Sequence, residues 1–492
     1  MTIVDYIVFF AFIGGIILYG CSFYFKSKSS ENFTAAGGSI PTWLVGMSIF
    51  ATYVSSISFL GNPGSAYSGN WNPFVFGLSI PVAVWAANKF FVPLYRKLNN
   101  VSAYNYLEVR FGYWARAYAS ICYLLTQIAR TGSILFLLAL PLNFMVGWSI
   151  PTIIVITGAC VILYSVMGGI RAVIYTDAIQ GIILIIGAIA CAAVLTFSMP
   201  EGPGQLFEIA IRDHKFSLGS FGSSLSESTF WVVLVYGLFT NLQNYSIDQN
   251  YVQRYMTAKS TKAAKRSAMF GGLLFIPVSA LFFYIGTALY AYYQASPELL
   301  PEGISGDRVF PYFIINALPQ GITGLLIASI FAAGMSTVST SVNSSATIIL
   351  TDFYQRNKKR PTTNKENMAV LYISSFLFGC IGIIVGLLMM GVTGVLEAWW
   401  KLSSIFSGGM LGLFLLGFIC PKVKNTQAMI AVIAGVLVIA WISLSPFLFT
   451  SGELLKFKSE LHANLAIVFG TTTIFLVGFI LSILIPNKKV KP

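Results

Sequence analysis

Long apolar runs alternate with short polar stretches along this chain, and thirteen of the runs reach the length a bilayer-crossing helix needs, about 20 residues at 1.5 Å each. They cover residues 3–25, 41–67, 73–95, 114–147, 150–168, 173–199, 228–248, 266–294, 310–353, 367–391, 395–418, 425–449 and 463–486. The pattern predicts an all-α polytopic membrane protein with about 13 transmembrane helices, and lipid as its main solvent. Lys26 and Lys28 follow the first run where a cleaved signal would carry small residues, so that run is read as a retained span.

Two runs, the second and the seventh, look unsuited to lipid contact, and the ninth carries the densest hydroxyl cluster. In the second, Ala51, Thr52, Tyr53, Val54, Ser55, Ser56, Ile57 and Ser58 crowd hydroxyls and β-branched residues at mid-depth, ahead of Gly61, Pro63 and Gly64. A helix unwound there would turn backbone carbonyls toward a cation and aim a half-helix N-terminus into a cavity. Hydroxyls bonded back to their own helix are the alternative. In the seventh run, Gly237 to Asn244 places Asn241, Gln243 and Asn244 after an apolar stretch, and a second break is expected there. The ninth run holds Ser336, Thr337, Ser339, Thr340, Ser341, Asn343, Ser344 and Ser345. Residues 333, 336, 337 and 340 share one helical face. Such a face suits a hard monovalent cation, although a small-residue helix interface would use the same residues.

Charge changes the picture in two ways. Only 10 % of the 492 residues are charged, against roughly 25 % in soluble domains. The net charge of +13 could suggest nucleic acid, but the basic residues sit in short loops. Of the 30 Lys and Arg, 22 fall on one side of the alternating spans, Arg254 among them, and five on the other: Arg212, Lys215, Arg308, Lys456 and Lys458. By the positive-inside rule the N-terminus is outside and the C-terminus cytoplasmic. The remaining three are Lys89, Lys401 and Arg130. Lys89 can snorkel; Lys401 is intermediate; Arg130, 14 residues or about 21 Å along one helix from Arg116, lies near the midplane. A guanidinium at that depth is costly without an anion, and a carboxylate is its usual partner. Asp177 opens the sixth run, six residues beyond Arg171, as a candidate for a cation site or for a structural ion pair. The six cysteines lack metal-ligand spacing and are read as core residues. With two histidines, no phosphate-binding loop and short external loops near residues 200–227 and 295–309, an enzyme is disfavoured. A lone Glu397 near the outer face is a further candidate for gating.

The stretch Gly168, Gly169, Ile170, Arg171, Ala172, Val173, Ile174, Tyr175, Thr176, Asp177, Ala178, Ile179, Gln180 resembles the signature of the sodium:solute symporter family, as do residues 48–59, 101–112 and 330–344. The resemblance implies a LeuT-type fold of two inverted five-helix repeats, here residues 39–200 and 226–420 of a single transmembrane domain, with residues 1–38 and 421–492 as extra helices. It implies co-transported sodium ions. One would be held by carbonyls of Ala51, Val54 and Ala333 and hydroxyls of Ser336 and Thr337; a second, present in some members, by Asp177, Ser336, Ser339 and Thr340. Within the family the chain is most similar to the sialic-acid branch, through Arg130 in Gln127-Ile128-Ala129-Arg130, with Ser55 and Ser58 at matching hydroxyl positions. Tyr53 stands where that branch has a small hydroxyl residue, and Gly77 with Leu78 where it has a glutamine. The substrate set is therefore Arg130, Gln127, Tyr53, Ser55, Ser58, Asn241, Gln243 and Asn244. Membrane lipid and a small carboxylate-bearing sugar are the expected partners, with no nucleic acid and no obligate protein partner.

Overall fold

A computed structural model describes residues 2–304, 306–391, 408–449 and 452–484. Among them the secondary structure is helical, with a single isolated bridge between Ile40 and Ala258. In chain order the helices are α1 (Ile3–Ser22), α2 (Thr42–Tyr53), α3 (Ser56–Ser68), α4 (Asn72–Leu98), α5 (Asn105–Phe111), α6 (Tyr113–Val146), α7 (Ile150–Phe197), α8 (Pro203–Arg212) and α9 (Phe230–Ile247). They continue with α10 (Gln249–Thr257), α11 (Thr261–Ala295), α12 (Gly306–Asn316), α13 (Ile322–Ile348), α14 (Asn364–Leu388), α15 (Gly408–Ile419), α16 (Asn425–Leu448) and α17 (Ala466–Leu484).

Nine helices among the described residues are long and apolar enough to cross a membrane, or ten with the bent pair α2–α3, against thirteen runs in the sequence. The difference has identifiable sources. Runs five and six follow one another in α7 as two helices that meet at a kink, with no loop between them. At 1.5 Å per residue its 48 residues would be about 72 Å long if straight, more than twice a hydrocarbon core of about 30 Å, and the backbone leaves helical geometry at Gly169 (φ 57°, ψ −156°). A Cβ there would stand 2.8 Å from the Phe33 carbonyl oxygen, so both the conformation and the close approach require glycine. The long ninth run, expected as a single span, divides into the short α12 and the spanning segment Ile322–Gln355. The seventh run is helical through Asn241, Gln243 and Asn244, and the break comes after it, at Asp248 (ψ 127°), which starts α10. Gly237 serves close packing, because a Cβ there would lie 2.6 Å from the Phe76 carbonyl. Most of the eleventh run, with Glu397 and Lys401, lies outside the described residues, as do Lys488, Lys489 and Lys491.

Helix α13 is the axis of the molecule. Nearly every residue from Leu326 to Ile348 is buried, and it packs against α7, α6, α1 and α14. A helix with hydroxyls on most faces can lie there only because other helices, and not lipid, surround it. Its N-terminus is held by Asp5 of α1, whose Oδ1 accepts from the Gly321 and Gly324 amides at 2.7 and 3.1 Å. Helices α2 and α11 cross at Gly46 and Gly271, where a Cβ on Gly271 would meet the Gly46 carbonyl at 2.4 Å.

Candidate functional site

Helix α2 ends where the sequence turns polar. Val54 and Ser55 are extended, α3 leaves at 51°, and the Ser55 hydroxyl caps the new helix by accepting from the Ser58 amide at 3.4 Å. The hydrogen-bond ladder closes with Val54 N–H to Phe50 O at 3.0 Å, so the carbonyls of the last turn of α2 are released from it. Beside this break lies a cavity of about 10 Å³. That is the room of one water or one monatomic ion. Ala51 and Val54 from the break, Ala333 and Ser336 from α13, and Gln180 from α7 line it, with apolar walls from Phe50 and Leu184. Four of the five residues expected around a first cation therefore surround one small space. Thr337, the fifth, turns its hydroxyl back to donate to the Ala333 carbonyl at 3.2 Å.

One turn along α13 the second expected set is arranged differently. Asp177 is fully buried, and its Oδ1 accepts from the Ser336 hydroxyl at 2.7 Å. Its Oδ2 accepts from Ser48 Oγ and from the Arg254 guanidinium, both at 2.8 Å. Arg254 also donates to Thr340 Oγ1 at 2.7 Å, Ser48 Oγ at 2.8 Å and the Asn250 carbonyl at 2.7 Å. Ser339 donates to the Ser336 carbonyl at 3.0 Å. The carboxylate is thus neutralised by a guanidinium with 0 % exposure, from a residue the charge pattern put among the cytoplasmic loops. Ser336 joins the two sets: its proton goes to Asp177, which leaves its lone pairs free toward the cavity.

The expected substrate residues fall into three groups. Arg130 is half-buried on α6 and commits one N–H, to the Thr52 carbonyl at 3.3 Å. Tyr53 closes the end of α2, its ring stacked on Tyr245 (centroids 5.6 Å apart) and edge-on to Phe275 (4.5 Å). Its hydroxyl donates to Asn241 Oδ1 and lies beside Asn244. Asn241 is fully buried and spends its Nδ2 on the Phe76 carbonyl and Ser79 Oγ at 3.0 and 2.8 Å, so it ties α9 to α4 and orients Tyr53. Gln127 lies one turn from Arg130 but accepts from Ser341 of α13 at 2.7 Å. Gln243 is buried with its Oε1 unpartnered; Ser58 is half-buried at the start of α3.

This geometry, a broken helix facing a hydroxyl-rich central helix, can be set beside known proteins. Residues 33–435 match the sodium:solute symporter family. The chain belongs to that family. The symporter is 32 % identical to the sodium/sialic acid symporter NanT of Aliivibrio fischeri, over 98 % of this chain and 94 % of that one. It is 33 % identical to the sodium/sialic acid symporter SiaT of Proteus mirabilis, over 89 % and 88 % of the two chains. A solved structure of a Na+-coupled sialic acid symporter, substrate-bound and outward-open, superposes with a TM-score of 0.89 at 29 % identity, covering 98 % of each chain. A nucleobase–cation symporter in a closed conformation shares the fold, with a TM-score of 0.56 at 15 % identity over 92 % of this chain and 93 % of that one. The symporter therefore has a LeuT-type, all-α fold, and sodium is its coupling ion.

Two residues of the symporter escaped the reading of its sequence. Arg254 lies in a polar segment, Gln249 to Thr257, whose composition is that of a loop although all nine residues are buried. Gln180 ends the family signature and sits three residues after Asp177, on the same face of α7. That spacing was the available signal.

Proposed function

We propose that this symporter carries an acidic monosaccharide, N-acetylneuraminate foremost, into the cell with two sodium ions. The observation that carries the reading is Arg130: a half-buried guanidinium at the midplane, beside the α2 break, with one N–H committed and the others available to a carboxylate. The names of the relatives agree with it. Ser55 and Ser58 at the head of α3, with Tyr53, Asn241 and Asn244 opposite, would shape the sugar pocket; Gln127 and Gln243 would support it. The first sodium would take the cavity oxygens of Ala51, Val54, Ala333 and Ser336, with Thr337 behind them. The second would take Asp177, Ser336, Ser339 and Thr340, and Arg254 would have to withdraw from Asp177 and Thr340 to admit it. Two sodium ions with one monoanion move one net positive charge, which adds about 2.3 kcal/mol per 100 mV to the concentration gradients. No covalent chemistry is needed. Residues 39–200 and 226–420 would be the inverted repeats of a multi-pass protein of the cytoplasmic membrane, N-terminus outside and C-terminus inside, working without an obligate protein partner.

A second reading, symport of a neutral sugar, has its own observation. Asp248, at the break between α9 and α10, lies within electrostatic reach of Arg130, and among the described residues no direct ion pair joins them. In that case Asp248 would be the lasting partner of Arg130. Uptake of labelled N-acetylneuraminate into proteoliposomes, under inward sodium, potassium or proton gradients and with glucose, glucuronate and mannose as competitors, separates the two. Sodium-driven accumulation that neutral sugars do not inhibit, and that Arg130→Ala abolishes, supports the acidic substrate. Transport of a neutral sugar alone would replace it with the second reading.

A further inference from the structure

Gln180 is 1 % exposed, and neither Oε1 nor Nε2 has a partner. Among the described residues it is the one carboxamide with both polar atoms shut off from solvent and without a partner; other buried carboxamides have one such atom each. Burying such a group unpaired is unfavourable, and a leucine or methionine would fill the same volume without that cost. The surroundings supply a reason to keep it. Gln180 lines the cavity that Ala51, Val54, Ala333 and Ser336 share, and Gln180 is the one neighbour in that wall with an unused side-chain oxygen other than the Ser336 hydroxyl.

We propose that Gln180 is a further ligand of the transported cation, its Oε1 joining the three carbonyls and the Ser336 hydroxyl. The inference rests on the sodium reading above and extends it by one residue. A carboxamide suits the task because it is neutral, so the cavity binds one cation without acquiring a fixed charge that would hold the ion. It is also two-faced: turned about its last bond, the same group presents an N–H to the carbonyls that the departing ion leaves behind. Gln180 thus favours both binding and release, whereas Asp177, reaching the cavity only through the Ser336 hydroxyl, supplies attraction alone.

The test uses the full-length protein purified in detergent, with sodium-induced thermal stabilisation as a binding readout, and proteoliposome uptake as a second. Gln180→Leu should raise the half-saturating sodium concentration about tenfold in both, with near-normal maximal uptake at saturating sodium. Gln180→Glu should lower it and slow maximal uptake, because a fixed charge holds the ion; acidic pH should reverse both effects by protonating the new carboxyl. If the leucine variant does not fold, Gln180→Met tests the same loss with an unbranched side chain. A folded leucine or methionine variant with unchanged sodium dependence, while Ser336→Ala shifts it, would overturn the role of Gln180 and leave the sodium site standing. A wild-type protein without any sodium response would instead remove the sodium reading on which this rests.

Discussion

Two oxygen clusters stand one helical turn apart on α13, and they meet the problem of a buried cation in opposite ways. Around the first cavity every lining residue is neutral, and Ser336 and Gln180 bring its side-chain oxygens. Around Asp177 the protein supplies its own cation, Arg254, with both side chains at 0 % exposure. The contrast follows from what each costs to bury. A cage of dipoles tolerates low dielectric surroundings without a counter-ion, whereas a carboxylate there must be paired. The first cluster would therefore exchange an ion freely, and any ion reaching the second would have to compete with a tethered guanidinium.

The comparison can be broken most directly at Arg254. Arg254→Gln leaves Asp177 buried without its cation, a loss of about 3–5 kcal/mol for breaking one side of a buried pair. Melting of the purified protein should fall steeply in potassium and recover substantially in sodium, which can take the guanidinium's place. Equal melting in both salts would mean that no ion competes there. Asp177→Asn strands Arg254 instead, so sodium should not rescue its stability, and the Hill slope for sodium in uptake should drop toward 1; an unchanged slope points to a single ion. Combining the two substitutions should restore part of the stability that either alone loses, since each relieves the charge left by the other. Ser336→Ala touches both clusters and should raise half-saturating sodium about tenfold, or about 1.4 kcal/mol. Thr337→Ala should do less, a shift of roughly twofold to threefold, because its hydroxyl bonds to the Ala333 carbonyl and does not line the cavity. A larger shift for Thr337 than for Ser336 would reverse their ranking.

Much of this arrangement is legible in the residues. Apolar runs of spanning length announce the helices, and the hydroxyl-rich stretch from Ala51 to Ser58 marks the break at Val54 and Ser55 because such residues favour local bonds over a continued ladder. The hydroxyl-rich face of α13 follows from its spacing. What the chain conceals is pairing across distance. Arg254 lies among Gln249, Asn250 and Gln253, a composition that reads as cytoplasmic loop, and its burial depends on Ser48, Asp177 and Thr340 from three other helices. The break at Asp248 was misplaced for a related reason: Gly237 looks like a helix breaker, but its neighbour Phe76 uses the missing Cβ for contact. The kink at Gly169 is marked by no polar loop, so the sequence indicated two spans without showing that they join directly.

The grip of Asp5 on the start of α13 has a consequence for how the protein is made. Its two bonds, to Gly321 and Gly324, span 316 and 319 residues of chain. The clasp on α13 thus cannot close until the 316 residues that follow Asp5 have been made. Until then α1 has its packing against α7 but not this clasp, and the central helix, crowded with hydroxyls that lipid cannot satisfy, has to assemble against partners already in place. The clasp between α1 and α13 therefore closes late, which makes it a natural checkpoint for the bundle.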